Sequence, residues 1–391
     1  MKYSDFEKYM ENVVEHLNKT KKQGCYDYTD FIAIVSKKVE YEKNYILDSP
    51  IEVEWEITSK CNLHCEYCYH FSIEDNKHRN DITLQQALDI IEQLSQNNVL
   101  AIRLEGGEPF IRKDIIDIIT RIKEKGIGLY ILSNGTLISR KIAQKLARIL
   151  NYNTDHIQIS LDTLQINKFD LITGTKHLRN KIINGLKNLD DMEIPIIISM
   201  VVTEKNINEI VPIYEYIKGF KSVKKFNVSP ALSVGSYDGF SLPKELLLPH
   251  YNKLFEIYNE EGGPVLDVML GHAFHMDFYK RYILEHQNEF EKHDKQYPKA
   301  GRSMLTIASD GSIYGEHNMT FDEMCMGNIL KENLFDIWNK EKWNIFRYGR
   351  NEQSECRKCD MRFFCSQRSI GIAYSKFKTI QAKDPNCMYK S

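Results

Sequence analysis

Short apolar runs alternate with helix-length amphipathic stretches through the first half of the chain. The runs fall at 51–57, 99–104, 128–132, 156–161 and 194–202, and residues 139–150 and 181–189 carry apolar side chains at helical spacing. Parallel strands need long crossovers, so this alternation predicts an α/β fold with a parallel sheet covered by helices. A barrel or partial barrel over about 50–241 follows from it. In such folds the working residues gather at the C-terminal ends of strands. Ser133-Asn134-Gly135-Thr136 and Ser160-Leu161-Asp162 stand at two such ends.

The flanks read differently. Ser4-Asp5-Phe6-Glu7 has the form of a capping box, and Phe6, Met10, Val13, Val14 and Leu17 follow at helical spacing. Residues 1–49 are therefore expected to be an accessory segment, with a short helix and a strand-like run at 31–35. Gly235, Gly239 and Pro243 mark one boundary, and Pro298 to Gly301 another. Between them, 242–297 is expected to be a helical bridge, where His272, His275, Tyr279 and Tyr282 sit in a Met- and aromatic-rich stretch read as helix packing. The remainder, 298–391, forms a last domain.

Composition narrows the field. A chain of 391 residues, 42% hydrophobic, can bury a large core. Its net charge of −2 favours neither nucleic acid nor an anionic membrane. The most apolar run, 194–202, is too short to span a bilayer, and no signal peptide is read at the N-terminus. Nine cysteines, an odd number set in clusters, indicate metal binding in a reducing cytoplasm rather than a disulfide scaffold. Cys25 is read as structural.

Cys61, Cys65 and Cys68 have the spacing C-x3-C-x2-C. Three thiolates bind three irons of a four-iron cluster and leave the fourth open to chelate a small molecule. The same spacing suits a zinc knuckle completed by His64 or His70. Gly106-Gly107-Glu108-Pro109 follows a strand-like run, and its glycines let backbone approach a ligand with amides free to bond it. Near the end, Cys356, Cys359, Cys365 and Cys387 supply four thiolates, enough to complete a cluster with no open position or to hold a structural zinc.

Together the cysteine triplet, Tyr67 just before its last cysteine and the Gly-Gly-Glu-Pro segment resemble the radical S-adenosylmethionine (SAM) superfamily. The resemblance implies a partial (β/α)6 barrel of the TIM type and a SAM-binding [4Fe-4S] cluster on Cys61, Cys65 and Cys68. It also implies that Tyr67 lies against the adenine, that Gly106, Gly107, Glu108 and Pro109 hold the amino group, and that Asn134, Ser160 and Asp162 line the ribose and carboxylate region. The C-terminal features are similar to the SPASM extension, covering with the barrel about residues 50–391. That extension carries seven cysteines, with the spacings G-x4-C and C-x2-C-x5-C-x3-C among them. Here Glu316 stands where the first spacing expects cysteine, Ser369 stands where the second does, and none lies near Pro298. The expectation is two clusters in all, the second an auxiliary [4Fe-4S] cluster on Cys356, Cys359, Cys365 and Cys387. Glu316 and His317 are then candidate proton acceptors, and Cys325 a candidate hydrogen-atom donor. The implied substrate is a ribosomally made peptide, to be crosslinked, oxidised or epimerised, or alternatively a small molecule such as an aminoglycoside or sugar alcohol. A flavodoxin or ferredoxin is the implied electron donor.

Overall fold

The first strands of the sheet place apolar side chains on one face and polar ones on the other. In β1 (Glu52–Glu56), Val53 and Trp55 are fully buried on one side, and Glu54 and Glu56 occupy the other. The computed structural model in which this is seen describes residues 8, 46–73, 79–231, 242, 244–268, 299–348, 354, 356 and 370–383. The pattern repeats in β2 (Ala101–Glu105), where Ile102 and Leu104 alternate with Arg103 and Glu105. It continues in β4 (His156–Ser160) and largely in β6 (Val223–Pro230), while β3 (Gly128–Ser133) and β5 (Ile196–Val202) also set Leu132, Ile197 and Val201 on the second face.

The apolar face is covered by helices whose buried residues recur at helical spacing. In α1 (Leu84–Gln96) these are Ala87, Ile90, Ile91 and Leu94, and in α2 (Ile115–Glu124) Ile115, Ile118, Ile119 and Ile122. Each buried isoleucine or leucine contributes about 1.5–3 kcal/mol through burial. Thr83 caps α1 in a reciprocal box with Gln86, and Ser139 caps α3 (Arg140–Ile149). Two helices, α4 (Ile166–Thr173) and α5 (Arg179–Asp190), link β4 to β5, and α6 (Ile210–Ile217) links β5 to β6.

Strands β1 to β6 pair in sequence order and are all parallel. This is the expected partial barrel. A closed barrel of this kind fills its interior with branched apolar side chains. Here Glu54 stands beside Arg103, and Arg103 beside Tyr130, so the inner face is polar and built to hold something.

Within the stretch expected to be a helical bridge, the described residues form α7 (Lys244–Glu261) and then β7 (Val265–Val268), which pairs parallel with β6. Two β-branched valines flanking Leu266 favour that strand. The C-terminal unit joins the other edge: β8 (Met304–Ile307) lies parallel to β1, and β9 (Ser312–Tyr314) and β10 (Gly327–Asn328) continue antiparallel. Arg79 fastens this unit to the barrel. Its guanidinium donates to the Tyr314 hydroxyl at 2.7 Å, to the Thr320 carbonyl at 2.8 Å and to Asp310 at 3.2 Å. On the far side Gln93 of α1 exchanges hydrogen bonds with Ile329 and Leu334.

The N-terminal capping box, the run at 31–35 and Cys25 lie outside the described residues. So do His272, His275, Tyr279, Tyr282, Gly235, Gly239, Pro243, Pro298, Cys359, Cys365, Ser369 and Cys387.

Candidate active site

The cysteine loop leaves the end of β1 and is clamped at its start by Asp81. That carboxylate accepts from the Thr58 hydroxyl at 2.6 Å and from the Ser59 amide at 2.7 Å. The loop then runs against the segment following β2. The Gly107 amide donates to the Thr58 carbonyl and the Glu108 amide to the Lys60 carbonyl, both at 2.8 Å. A Cβ on Gly106 would lie 2.4 Å from the Thr58 oxygen, and one on Gly107 2.1 Å from the Lys60 oxygen. Gly106 also has φ of +137°. The glycines are thus required by backbone packing on the cysteine loop, and the amides of Gly107 and Glu108 are engaged there. This corrects the expectation of amides free for a ligand. A SAM amino group is a donor, so carbonyl oxygens are what would receive it.

Cys61, Cys65 and Cys68 converge on one cavity of about 280 Å³ at the C-terminal ends of the strands. Burial, with Glu108 and Cys68 nearby, pushes the Cys61 thiol up to about 11. Burial, Asp162 and the two neighbouring thiols raise Cys65 well above its usual range. Three crowded thiols in this setting resist ionisation unless a strong positive charge sits among them. An iron–sulfur cluster provides that charge, so the donor set fits one with three protein ligands.

Tyr67, Gly106, Gly107, Asn134, Ser160 and Asp162 line the same cavity. The Tyr67 hydroxyl donates to Asp162, whose other oxygen accepts from the Val201 amide at 2.8 Å. Burial raises the Asp162 carboxyl to about 6 against both hydrogen bonds. Asn134 donates to Asn62 at 3.0 Å and accepts from the Thr136 amide at 2.9 Å, which fixes its amide beside Cys61. Glu108 and Pro109 stand behind the wall. Fully buried, Glu108 accepts from the Ser133 hydroxyl at 2.9 Å, the Asn134 amide at 2.7 Å and the Phe110 amide at 3.1 Å. It ties the end of β2 to the end of β3, and burial lifts its carboxyl to about 7.

Of the C-terminal candidates, His317 reaches the cavity and the other two stand apart from its lining. His317 Nδ1 lies 2.9 Å from Glu54, and its ring is 4.8 Å from that of Tyr69. Burial alone would lower His317, but the Glu54 carboxylate overrides it and raises the imidazole to about 9. Glu316 begins the short turn His317–Met319, and burial raises its carboxyl to about 7. The Cys325 thiol donates to the Gly327 carbonyl at 3.2 Å. Cys356 is half-buried.

The sequence reading missed a polar group on the inner face. Glu54, Glu105 and His317 bring ligand-type atoms within 4.8 Å of one another. Arg103 lies among them, donating to Glu54 at 3.0 Å and standing 3.4 Å from Glu105. Its guanidinium supplies the positive charge a metal ion would bring, so this is a protein ion network. Glu105, Tyr69 and Gln158 also line the cavity. Strand alternation was the signal that would have found Glu105 and Gln158.

A family model described as the radical SAM superfamily matches residues 55–217, and one described as an iron-sulfur cluster-binding domain matches 299–360. Mycofactocin maturase MftC of Mycobacterium tuberculosis is 30% identical over 348 residues, covering 88% of this chain and 84% of that protein. Fe-coproporphyrin III synthase of Methanosarcina barkeri is 28% identical over 359 residues, covering 86% and 87%. Among solved structures, Streptococcus suis SuiB bound to its precursor peptide SuiA superposes with a TM-score of 0.71 at 19% identity, covering 97% of this chain and 80% of that one.

Proposed function

The chain belongs to the radical SAM superfamily, and from that membership we propose that its substrate is a peptide whose modification begins with loss of one hydrogen atom. Bound to the cluster and given one electron, SAM supplies the 5′-deoxyadenosyl radical that takes this hydrogen. The protein's part is to place and to shield. Cys61, Cys65 and Cys68 would hold the cluster, while Asn134, Ser160 and the Tyr67–Asp162 pair would orient SAM across the strand ends. His317, backed by Glu54, would hold a proton at the substrate end of the same cavity. The observation that carries the reading is the convergence of all three thiols with the ends of β2 to β5 on one cavity.

The peptide is favoured by the name of the 30% identical maturase, which spans most of the chain. Small-molecule chemistry is the second reading, and the 28% identical synthase of an iron porphyrin favours it. Cys356, Cys359, Cys365 and Cys387 would hold an auxiliary cluster. About eight irons per chain after anaerobic reconstitution agrees with two clusters, and near twelve refutes it. Among the described residues no helix is long and apolar enough to cross a membrane. A flavodoxin or ferredoxin would deliver the electron. The test is 5′-deoxyadenosine formation from SAM and dithionite, beside a variant with Cys61, Cys65 and Cys68 changed to Ala. Product from the wild type alone supports the activity, and none from either, at full iron loading, refutes it. Peptides encoded beside the gene, gaining or losing mass in the same assay, decide for the first reading over the second.

A further inference from the structure

Glu105 closes β2 with its side chain on the inner face, and its carboxylate is only half used. One oxygen stands 3.4 Å from the Arg103 guanidinium, while Oε1 has no hydrogen-bond partner. The residue is 4% exposed and lines the cavity. A buried acceptor left without a donor is costly, so an unpaired one in a cavity wall marks a place that a ligand completes.

His317 stands beside it, their ligand-type atoms lying within 4.8 Å of one another. Its Nδ1 is taken by Glu54 at 2.9 Å, so Nε2 is the ring nitrogen left for a partner in the cavity. The Glu54 carboxylate keeps the ring protonated up to about 9, which makes Nε2 a donor. Farther round, Leu104 pairs with Ile131, which sets Leu132 next to Glu105, and Leu132 pairs with Gln158. Gln158 Oε1 already accepts from the Tyr130 hydroxyl and from Asn227 at 3.4 Å, which leaves its amide nitrogen to donate. The wall therefore presents an acceptor beside a donor, then an apolar side chain, then a second donor.

Charge narrows what this wall can take. Glu54 and Glu105 are balanced by Arg103 and His317, so a charged ligand would leave one buried charge unmatched. The balance holds above the pH at which Glu105 gives up its proton, which burial raises against the pull of Arg103 and His317. We propose that Glu105 and His317 select the substrate through an uncharged group that donates and accepts on one edge, a primary carboxamide or a hydroxyl. The inference rests on the radical SAM reading, in which the substrate shares this cavity with SAM. A carboxamide would give an N–H to Glu105 Oε1 and accept from His317 Nε2 on its oxygen; a hydroxyl would do both through one oxygen. A peptide backbone fits less well, because a trans amide directs its N–H and C=O to opposite sides. Leu132 would seat the apolar stem of the group.

The test uses small perdeuterated probes: propionamide, 1-propanol, propionate and propylammonium, with N-methylacetamide for the peptide backbone. Each is added at equal concentration to the reconstituted full chain with SAM and dithionite, and deuterium is measured in the 5′-deoxyadenosine formed. The radical takes deuterium from a carbon held beside it, and the labelled fraction does not depend on how much enzyme is active. The better of propionamide and 1-propanol is expected to label about tenfold more than either ion, and somewhat more than N-methylacetamide; which of the two it is names the group. In Glu105→Gln that probe should lose about fivefold while propionate gains, because the wall then carries one positive charge in excess. Saturation-transfer NMR on unreduced protein with SAM should rank the probes in the same order. Equal labelling by all five overturns the proposal, as does more from an ion or from N-methylacetamide than from propionamide and 1-propanol. So does an absence of label while 5′-deoxyadenosine forms, a different order by NMR, or an order untouched by Glu105→Gln. A wild type that forms no 5′-deoxyadenosine at full iron loading refutes the radical SAM reading instead.

Discussion

Gly107 carries a sharp prediction because its reason for being glycine is steric. The Cβ of Gly107→Ala would lie 2.1 Å from the Lys60 oxygen, against an ordinary contact of 3.4 Å or more, and the obstacle is backbone rather than a yielding side chain. The cysteine loop must move by over about 1 Å, breaking or stretching the two hydrogen bonds that join Gly107 and Glu108 to it. Two hydrogen bonds at about 1 kcal/mol each, with about 1–3 kcal/mol of overpacking, give a local cost of about 3–5 kcal/mol. A displacement of that size at a site of chemistry lowers turnover about a hundredfold. The assay is iron content and dithionite-driven 5′-deoxyadenosine formation after reconstitution. Gly126→Ala is the control: its Cβ meets nothing within 4 Å, so it carries only the strain of its positive φ. The variant at position 107 should lose iron and activity while the control keeps both. Full iron and turnover within twofold of wild type in Gly107→Ala would refute the argument.

Three further outcomes are expected. The His317–Glu54 pair raises His317 from about 6.5 to about 9, so its contribution is fully present below pH 6.5 and disappears as pH rises through 9, a change of up to about 3 kcal/mol. Thermal unfolding across that window should therefore fall more steeply in wild type than in Glu54→Gln, and equal slopes would dismiss the pairing. Arg79→Met leaves Asp310, Tyr314 and Thr320 without their shared donor and, at about 1 kcal/mol for each of three hydrogen bonds, should cost about 3 kcal/mol, with protease cutting near 300 much earlier; an unchanged cleavage pattern counts against the clasp. Tyr67→Phe removes the hydroxyl that lowers the Asp162 carboxyl, so that carboxyl should rise further above about 6. KM for SAM should grow about fivefold with kcat nearly kept, as steady-state kinetics across pH would show.

How much of this was written in the sequence depends on the range of the interaction. The runs that became β1 to β5 were legible because each is a short apolar stretch bounded by turn residues, and the cysteine triplet because its spacing is local; β6 (Val223–Pro230), broken by Lys224, Lys225 and Asn227, was not among them. The role of Gly106 and Gly107 was half legible. Two glycines after a strand announce a close approach, but they do not say to what, and here the neighbour is the chain itself. Glu54, Arg103 and His317 were harder still. A carboxylate within an apolar run looks like an exposed position until the pairing of β1 with β2 and β8 brings its partners alongside. Strand β7 was lost to the expectation of a bridge because four residues give a weak pattern, and it exists by pairing with β6.

The pairing of β8 with β1 has a consequence for how the chain is made. Thr306 reaches Glu54 across 252 positions of sequence. At about 5–20 residues per second on the ribosome, β1 waits about 13–50 s after its own synthesis before its outer neighbour exists. During that interval its outer edge offers unpaired amides and carbonyls to any strand nearby. The last domain therefore closes the first strand as well as carrying its own cysteines. A nascent chain stalled before residue 304 is left with an open sheet edge, and a chaperone able to cover that edge during translation would serve this protein more than one acting after release.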